Sequence, residues 1–282
     1  MSWLTEPLAY TFMQQALIIG VLISVPAAVM SCLLVLKGWS LMGDAVSHAV
    51  LPGIVLAYII GIPYVVGAFV AGLLCAVTTG YLADNSRLKE DTVMGIVFSG
   101  MFALGILLFN QTHTSLHLDQ VLFGNILGLS WRDVIETGLV TGVVLIVYLT
   151  RLKDIKLFAF DAEHASIVGI DTRFLHYLML TLLSLVIVAA MKAVGIILVI
   201  AVLIAPGATA FLLSRRFESM LLISVIVAIF STTLGVIASY HINSAPAPTI
   251  VVLMTAIFFL AFLFAPERGI LRQRQKQVSE AG

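Results

Sequence analysis

The feature that most constrains this chain is a succession of long apolar runs, at residues 14–36, 43–60, 63–83, 92–110, 133–150, 174–191, 194–213, 218–239 and 247–265. A hydrocarbon core ~30 Å thick takes about 20 apolar residues of helix to cross, and each run is near that length. Inside lipid no water meets a bare N–H or C=O, so segments that cross it must satisfy their own backbone. The pattern predicts an all-α polytopic transmembrane helix bundle of about nine spans, built as one domain over residues 1–282. Only 11% of the residues are charged, against about 25% in a soluble domain.

The basic residues give the bundle a direction. Spans alternating from an outside N-terminus place Lys37, Arg87, Lys89, Arg151, Lys153, Lys156, Arg173, Arg215, Arg216, Arg268, Arg272, Arg274 and Lys276 on the cytoplasmic side. Of the 15 Lys and Arg, only Arg132 and Lys192 fall outside. That bias follows the positive-inside rule, so the C-terminus and its basic tail, about 266–282, are expected in the cytoplasm. Net charge is zero, which offers no basic surface to nucleic acid. Cys32 and Cys75 both lie in apolar runs and read as small buried hydrophobes rather than a disulfide framework. Glu6 and no Lys or Arg precede the first run, unlike the basic start of a cleavable signal peptide, so the first helix is expected to stay.

The runs are not uniform. Pro26, Pro52 and Pro206 lie within them, and Pro63 and Pro248 near span starts. Pro52 has no N–H for the carbonyl of His48, which predicts a helix distortion there. Gly138-x-x-x-Gly142, the series Gly95, Gly100 and Gly105, and Pro206-Gly207-Ala208-Thr209-Ala210 are small-residue sets that allow helices to approach closely. Residues 111–132 are too polar at Thr112–His117 and too short at Val121–Leu129 to cross; they predict a loop with a short re-entrant or interfacial helix.

Within the second run stand an aspartate and a histidine, Asp44 and His48. Spacing of i, i+4 puts them on one helix face. Counted along a helix from Lys37, they lie ~10 Å and ~17 Å into the core. An Asp at such depth costs roughly 2.5–3.5 kcal/mol on insertion scales, so a functional reason is expected. One carboxylate and one imidazole suit a first-row divalent metal. An Asp–His hydrogen bond tying helices together and a proton relay are the alternatives. Two ligands leave a coordination sphere incomplete, so other helices, water or the His48 carbonyl must contribute.

A second candidate is His113-x-x-x-His117-x-Asp119 in the outer loop, either a transient metal-capture site or a solvated polar segment. His241 and His176 are further, ambiguous histidines. The loop of about 151–173 contains a short amphipathic stretch over 160–170. Asp161 is its predicted N-cap, Glu163 and His164 follow, Ala162, Ala165 and Ile167–Val168 give a small apolar face, and Gly169 is the stop. It suits either the membrane surface or a groove on a partner protein. No Gly-x-x-x-x-Gly-Lys-[Ser/Thr] and no His-Glu-x-x-His occurs in the chain, so neither nucleotide hydrolysis nor other enzyme chemistry has residues here to rest on.

The run from Leu33 through Lys37-Gly38-Trp39, Gly43-Asp44-Ala45-Val46-Ser47-His48 and Pro52-Gly53 resembles the membrane subunit of manganese/zinc/iron-chelate ABC importers. Asp161-x-Glu163-x-Ala165-x-x-x-Gly169, Val194–Val199 through Pro206, and Pro248-Thr249 extend the likeness to nearly the whole chain. Within that family the chain is most similar to the bacterial chelated iron/manganese permeases. The resemblance implies a homodimer or a pair with a sister permease, two cytoplasmic ATPase subunits and an extracytoplasmic metal-binding protein. It also implies that 160–170 is the coupling helix and that Asp44 and His48 are transient ligands for Mn²⁺, Fe²⁺ or Zn²⁺, with no permanently bound cofactor. It says nothing for His113 and His117. The sequence reading is therefore an ATP-driven permease of the bacterial inner membrane, with Mn²⁺ or Fe²⁺ favoured by mixed O/N ligation. The rivals are a self-contained proton-coupled secondary transporter or channel, and an importer of a metal chelate.

Overall fold

The computed structural model describes residues 6–112, 124 and 126–265. Its long helices, in chain order, are α1 (Thr11–Lys37), α2 (Met42–Ala49), α3 (Leu51–Ile60), α4 (Tyr64–Asp84), α5 (Glu90–Gln111) and α6 (Trp131–Thr150). Then follow α7 (Leu152–Phe160), α8 (Ala162–Ile167), α9 (Thr172–Leu213), α10 (Phe217–Ile242) and α11 (Pro246–Phe264). Among the described residues there is no strand. Among the described residues, eight helical units, counting α2 and α3 as one, are long and apolar enough to cross a membrane. This is a multi-pass bundle, as the apolar runs predict.

The difference from the expected nine lies in α9. Its 42 residues merge the runs 174–191 and 194–213, and Gly195 interrupts it with φ 77° and ψ 169°, outside helical geometry. The start of α9 lies by Arg151, the residue before α7, and the end of α9 leads within four residues to Phe217, which packs on the last residue of α7. The Arg151 guanidinium stands 6.0 Å from the Phe174 ring, while Phe160 and Phe217 pack with centroids 6.0 Å apart. The middle of α9 is at the opposite end of the bundle, where Lys192 Nζ lies 2.7 Å from Asp133 Oδ1 and 3.0 Å from Glu136 Oε2. The chain thus turns back at Gly195. A Cβ added to Gly124 would lie 2.4 Å from the Gly195 nitrogen, so the loop leading to α6 backs this turn. One unit of double length with a reversal gives the crossings that the sequence counted as two.

Local chemistry explains where the helices start and stop. Gly38 adopts φ 74° and closes α1, and the Trp39 N–H donates to the Leu34 carbonyl at 2.7 Å, a left-handed C-terminal motif that suits glycine. Ser130 and Asp133 form a reciprocal capping box at the start of α6. Pro26 and Pro206 remain inside α1 and α9. Beside Pro206, the buried Ser31 hydroxyl donates to the Ile204 carbonyl at 3.1 Å and accepts the Gly207 N–H at 2.9 Å. A side chain from α1 thereby bonds the α9 backbone on either side of the proline.

α1 and α9 form the centre, with α10 against both and α4, α5, α6 and α11 outside. Buried hydroxyls tie the centre together: Ser24 and Thr232 are 2.6 Å apart, and Ser224 donates to the Ala28 carbonyl at 2.8 Å. Exposed Leu139, Ile146, Ile96 and Phe264 mark faces that lipid can cover at no solvation cost. Of the predicted small-residue contacts, Gly207 meets Ser31 and Gly105 meets Pro52, whereas Gly95, Gly100 and Gly142 have no neighbour within 4 Å of an added Cβ. Cys32 and Cys75 are buried free thiols.

Candidate metal site

Asp44 and His48 share one face of α2, and His48 Nε2 lies 3.3 Å from Asp44 Oδ1. Their neighbours Ala45, Val46, Ser47 and Ala49 are buried, while the Asp44 and His48 side chains keep 36% and 28% of their surface open. The pair therefore forms the one accessible edge of an otherwise packed helix. The His48 ring is walled by α5, with Phe102 edge-on at 5.2 Å and Phe98 at 6.4 Å between centroids. Its Nδ1 is buried without a hydrogen-bond partner. The aromatic wall was not anticipated; helical spacing on α2 alone carries no signal for it.

The depth expected from counting along a helix from Lys37 fails in its reasoning, because α1 ends at Lys37 and α2 begins only at Met42. From the start of α2, Asp44 is ~3 Å and His48 ~9 Å along the axis. The neighbours still place the pair near the middle. Phe98 and Phe102 lie on the central turns of α5, ~12 Å from its start and ~14 Å from its end. A Cβ on Gly72, in the middle of α4, would lie 3.2 Å from Val46 and 3.3 Å from Val50. The helical hydrogen-bond ladder is interrupted at Val50, two residues before Pro52, as the proline predicts, while Val50 itself keeps helical dihedrals of φ −68° and ψ −25°. The His48 carbonyl is not left bare, however: the Val50 N–H turns to it.

Among the described residues, no group of three or more His, Cys, Asp or Glu side chains gathers to hold a metal ion. Asp44 and His48 offer one oxygen and one nitrogen from a single chain, half or less of a first-row metal's preferred sphere. His113 and His117 lie outside the described residues. His176 is elsewhere, at the Lys37 end, with its ring 5.1 Å from that of Trp39. His241 ends α10 beside Tyr240.

The loop of 151–173 holds two helices rather than one. α7 was not foreseen, and α8 is a six-residue helix within the predicted 160–170. Asp161 caps it, accepting the His164 N–H at 2.9 Å. Gly169 ends it with φ 89°, and the Ile170 N–H reaches the Ala165 carbonyl at 3.0 Å. Glu163 sits in its first turn. Ala165 does not face a partner: it is fully buried in this chain, and Ile167 and Val168 are the apolar residues presented outward, 82% and 60% exposed. The expected apolar face is thus split: Ile167 and Val168 are presented outward as expected, whereas Ala165, expected beside them, is turned inward.

Comparison with known proteins extends these observations. The model of the ABC 3 transport family matches residues 9–265. The chain is 50% identical to the chelated iron transport system membrane protein YfeD of Yersinia pestis, over 99% of this chain and 94% of that one. It is 46% identical to the manganese transport system membrane protein MntB of a Synechocystis strain, covering 98% and 90% of the two chains. Its fold superposes on a chain of the solved structure of PsaBC from Streptococcus pneumoniae in complex with Fab with a TM-score of 0.86, at 37% identity over 97% and 99% of the chains. This multi-pass membrane protein belongs to the ABC 3 transport family.

Proposed function

We propose that the chain is the membrane-crossing subunit of an ATP-driven importer of a divalent transition metal, with Mn²⁺ or Fe²⁺ as substrate ahead of Zn²⁺. The observation that carries this reading is the Asp44–His48 pair: two metal-suited donors 3.3 Å apart, level with the centre of the bundle, on the open edge of α2. A carboxylate kept at that depth is costly unless it serves an ion on the path. The names of the relatives, which give iron and manganese transport, support the substrate class.

Because one chain supplies only two donors, a second copy or a sister permease facing this edge would supply the rest of the sphere. A twofold arrangement makes the site two carboxylates and two imidazoles, a mixed O/N set that suits Mn²⁺ and Fe²⁺. Conduction requires that this site bind the ion without trapping it. Energy would enter at the Lys37 end, on the cytoplasmic side by the distribution of basic residues. There α8 would dock in an ATPase subunit through Ile167 and Val168, with Asp161, Glu163, His164 and Gly169 holding its shape. Delivery of the ion at the opposite end would fall to an extracytoplasmic metal-binding protein. The rival, a proton-coupled carrier without ATPase, would leave α8 on the lipid surface.

The test is metal accumulation by cells carrying the complete transporter. Asp44→Asn and His48→Ala are expected to abolish uptake while membrane insertion and ATPase co-purification stay normal. Uptake at the wild-type rate in either variant would refute the ligand role, and wild-type uptake without any ATPase would favour the proton-coupled rival.

A further inference from the structure

The end of α1, from which the turn leads into the helix bearing Asp44 and His48, is in direct contact with α7, and Lys37 contributes to that contact. Lys37, the last residue of α1, places its ammonium 3.7 Å from the centroid of the Phe158 ring on α7, well within the ~6 Å over which a cation is held by an aromatic face. Phe158 is buried, as is Trp39, whose ring lies 6.0 Å from the same ammonium. From Lys37 onward the chain has little freedom. Gly38 is fixed at φ 74°, the Trp39 N–H binds the Leu34 carbonyl, and the Met42 N–H binds the Trp39 carbonyl at 2.9 Å. Two residues later comes Asp44. On the other side, α7 runs from Phe158 to Asp161, the cap of α8, with only Ala159 and Phe160 between.

A displacement of α8 therefore has a short, rigid route to the donor pair: Phe158, Lys37, the hydrogen-bonded turn, Asp44. α7 has a second handle, Lys156, which ion-pairs with Glu218 and stands 5.4 Å from the Phe217 ring on α10, but that one leads away from α2. We infer that Lys37 is a positioning residue for transport, gripping Phe158 so that movement of the α7–α8 segment is transmitted to the helix bearing Asp44 and His48. The inference rests on the function proposed above. It adds a role for a residue whose ordinary reading is a boundary cation that also favours the C-terminal end of α1.

The experiment uses the complete transporter in proteoliposomes, with Mn²⁺ as the probe, and reads uptake and ATP hydrolysis on the same preparation. Lys37→Met keeps the apolar stem and removes the charge. It is expected to lower Mn²⁺ uptake per ATP hydrolysed about tenfold, the order set by losing one well-placed cation–aromatic contact. Co-purification with the ATPase and equilibrium Mn²⁺ binding should stay at wild-type levels, and Lys37→Arg should restore the ratio. A merely structural lysine would lower protein yield or all activities together, without moving uptake per ATP. Should Lys37→Met not fold, Phe158→Leu, which keeps apolar volume and removes the ring, is expected to show the same uncoupling. An unchanged ratio in the folded variants overturns the inference, as does Lys37→Arg behaving like Lys37→Met. Failure of the wild-type assembly to take up Mn²⁺ or hydrolyse ATP would instead strike the proposed function.

Discussion

The crossing of α3 and α4 gives a quantitative test of the packing. A Cβ on Gly53 would stand 2.1 Å from the Gly67 carbonyl oxygen and 2.6 Å from the Ala71 Cβ. Ordinary non-bonded contact is ~3.5–4 Å, so the helices would have to part by more than about 1 Å, and the obstacle is backbone that cannot rotate aside. Overpacking of this kind costs about 1–3 kcal/mol, partly offset by the 0.5–1 kcal/mol or so that alanine gains over glycine within a helix. Gly142 on α6 is the internal control, because nothing lies within 4 Å of its added Cβ. Gly142→Ala receives the gain without the clash. The two identical substitutions should thus differ by roughly 2 kcal/mol, or about 4–8 °C in melting temperature for a chain of this size. Thermal unfolding of the purified proteins in one detergent measures this. If Gly53→Ala melts at or above Gly142→Ala, the close α3–α4 crossing is wrong. Since Gly53 follows Pro52 just beyond His48, the same variant should also lose Mn²⁺ uptake.

Three further outcomes are expected. Ile167→Glu should weaken ATPase co-purification while leaving the permease's own melting unchanged, whereas Ala165→Glu should destabilise the permease itself by burying an unpaired charge; equal loss of stability in both would refute the assigned faces of α8. Asp161→Ala should cost about 1 kcal/mol through loss of the α8 cap, seen as faster proteolysis or hydrogen exchange over 161–168; unaltered exchange would count against the cap. Cysteines placed at Lys192 and Ser244 should be labelled by an impermeant reagent from the same side of the membrane, and one at Ser166 from the other. Labelling of Lys192→Cys together with Ser166→Cys would remove the reversal at Gly195.

How far the sequence could be read depended on which physical signal each feature left. Apolar length located every spanning helix, because lipid imposes it residue by residue. Apolar runs at 174–191 and 194–213 counted as two crossings, but how they join was not visible in hydropathy; the reversal rests on Gly195 reaching φ 77° and on Lys192 meeting Asp133 and Glu136 from α6, contacts distant in sequence. The same ion pairs, with Arg132 bound to Glu136 at 2.9 Å, show why the two exceptions to the basic bias are tolerated: each has an acidic partner at that end. The i, i+4 pair Asp44 and His48 was legible because helix geometry alone brings it together. Its depth was reached by a wrong route, since Gly38 turns the chain where the count assumed a continuous helix. Ala165 was assigned outward because a short amphipathic helix of six residues has no long periodicity to say which face is covered. Phe98, Phe102 and Phe158 left no sequence signal, for an aromatic in an apolar run reads as core or lipid contact until its neighbours are known.

The central claim, that Asp44 and His48 carry the ion through a site shared by two chains, is tested most directly by equilibrium binding of Mn²⁺ to the purified permease assembly in detergent, read by electron paramagnetic resonance. The expected result is one Mn²⁺ for every two permease chains, of modest affinity, with binding lost in His48→Ala and in Asp44→Asn. Mn²⁺ bound at full wild-type stoichiometry in the folded His48→Ala and Asp44→Asn proteins would contradict it.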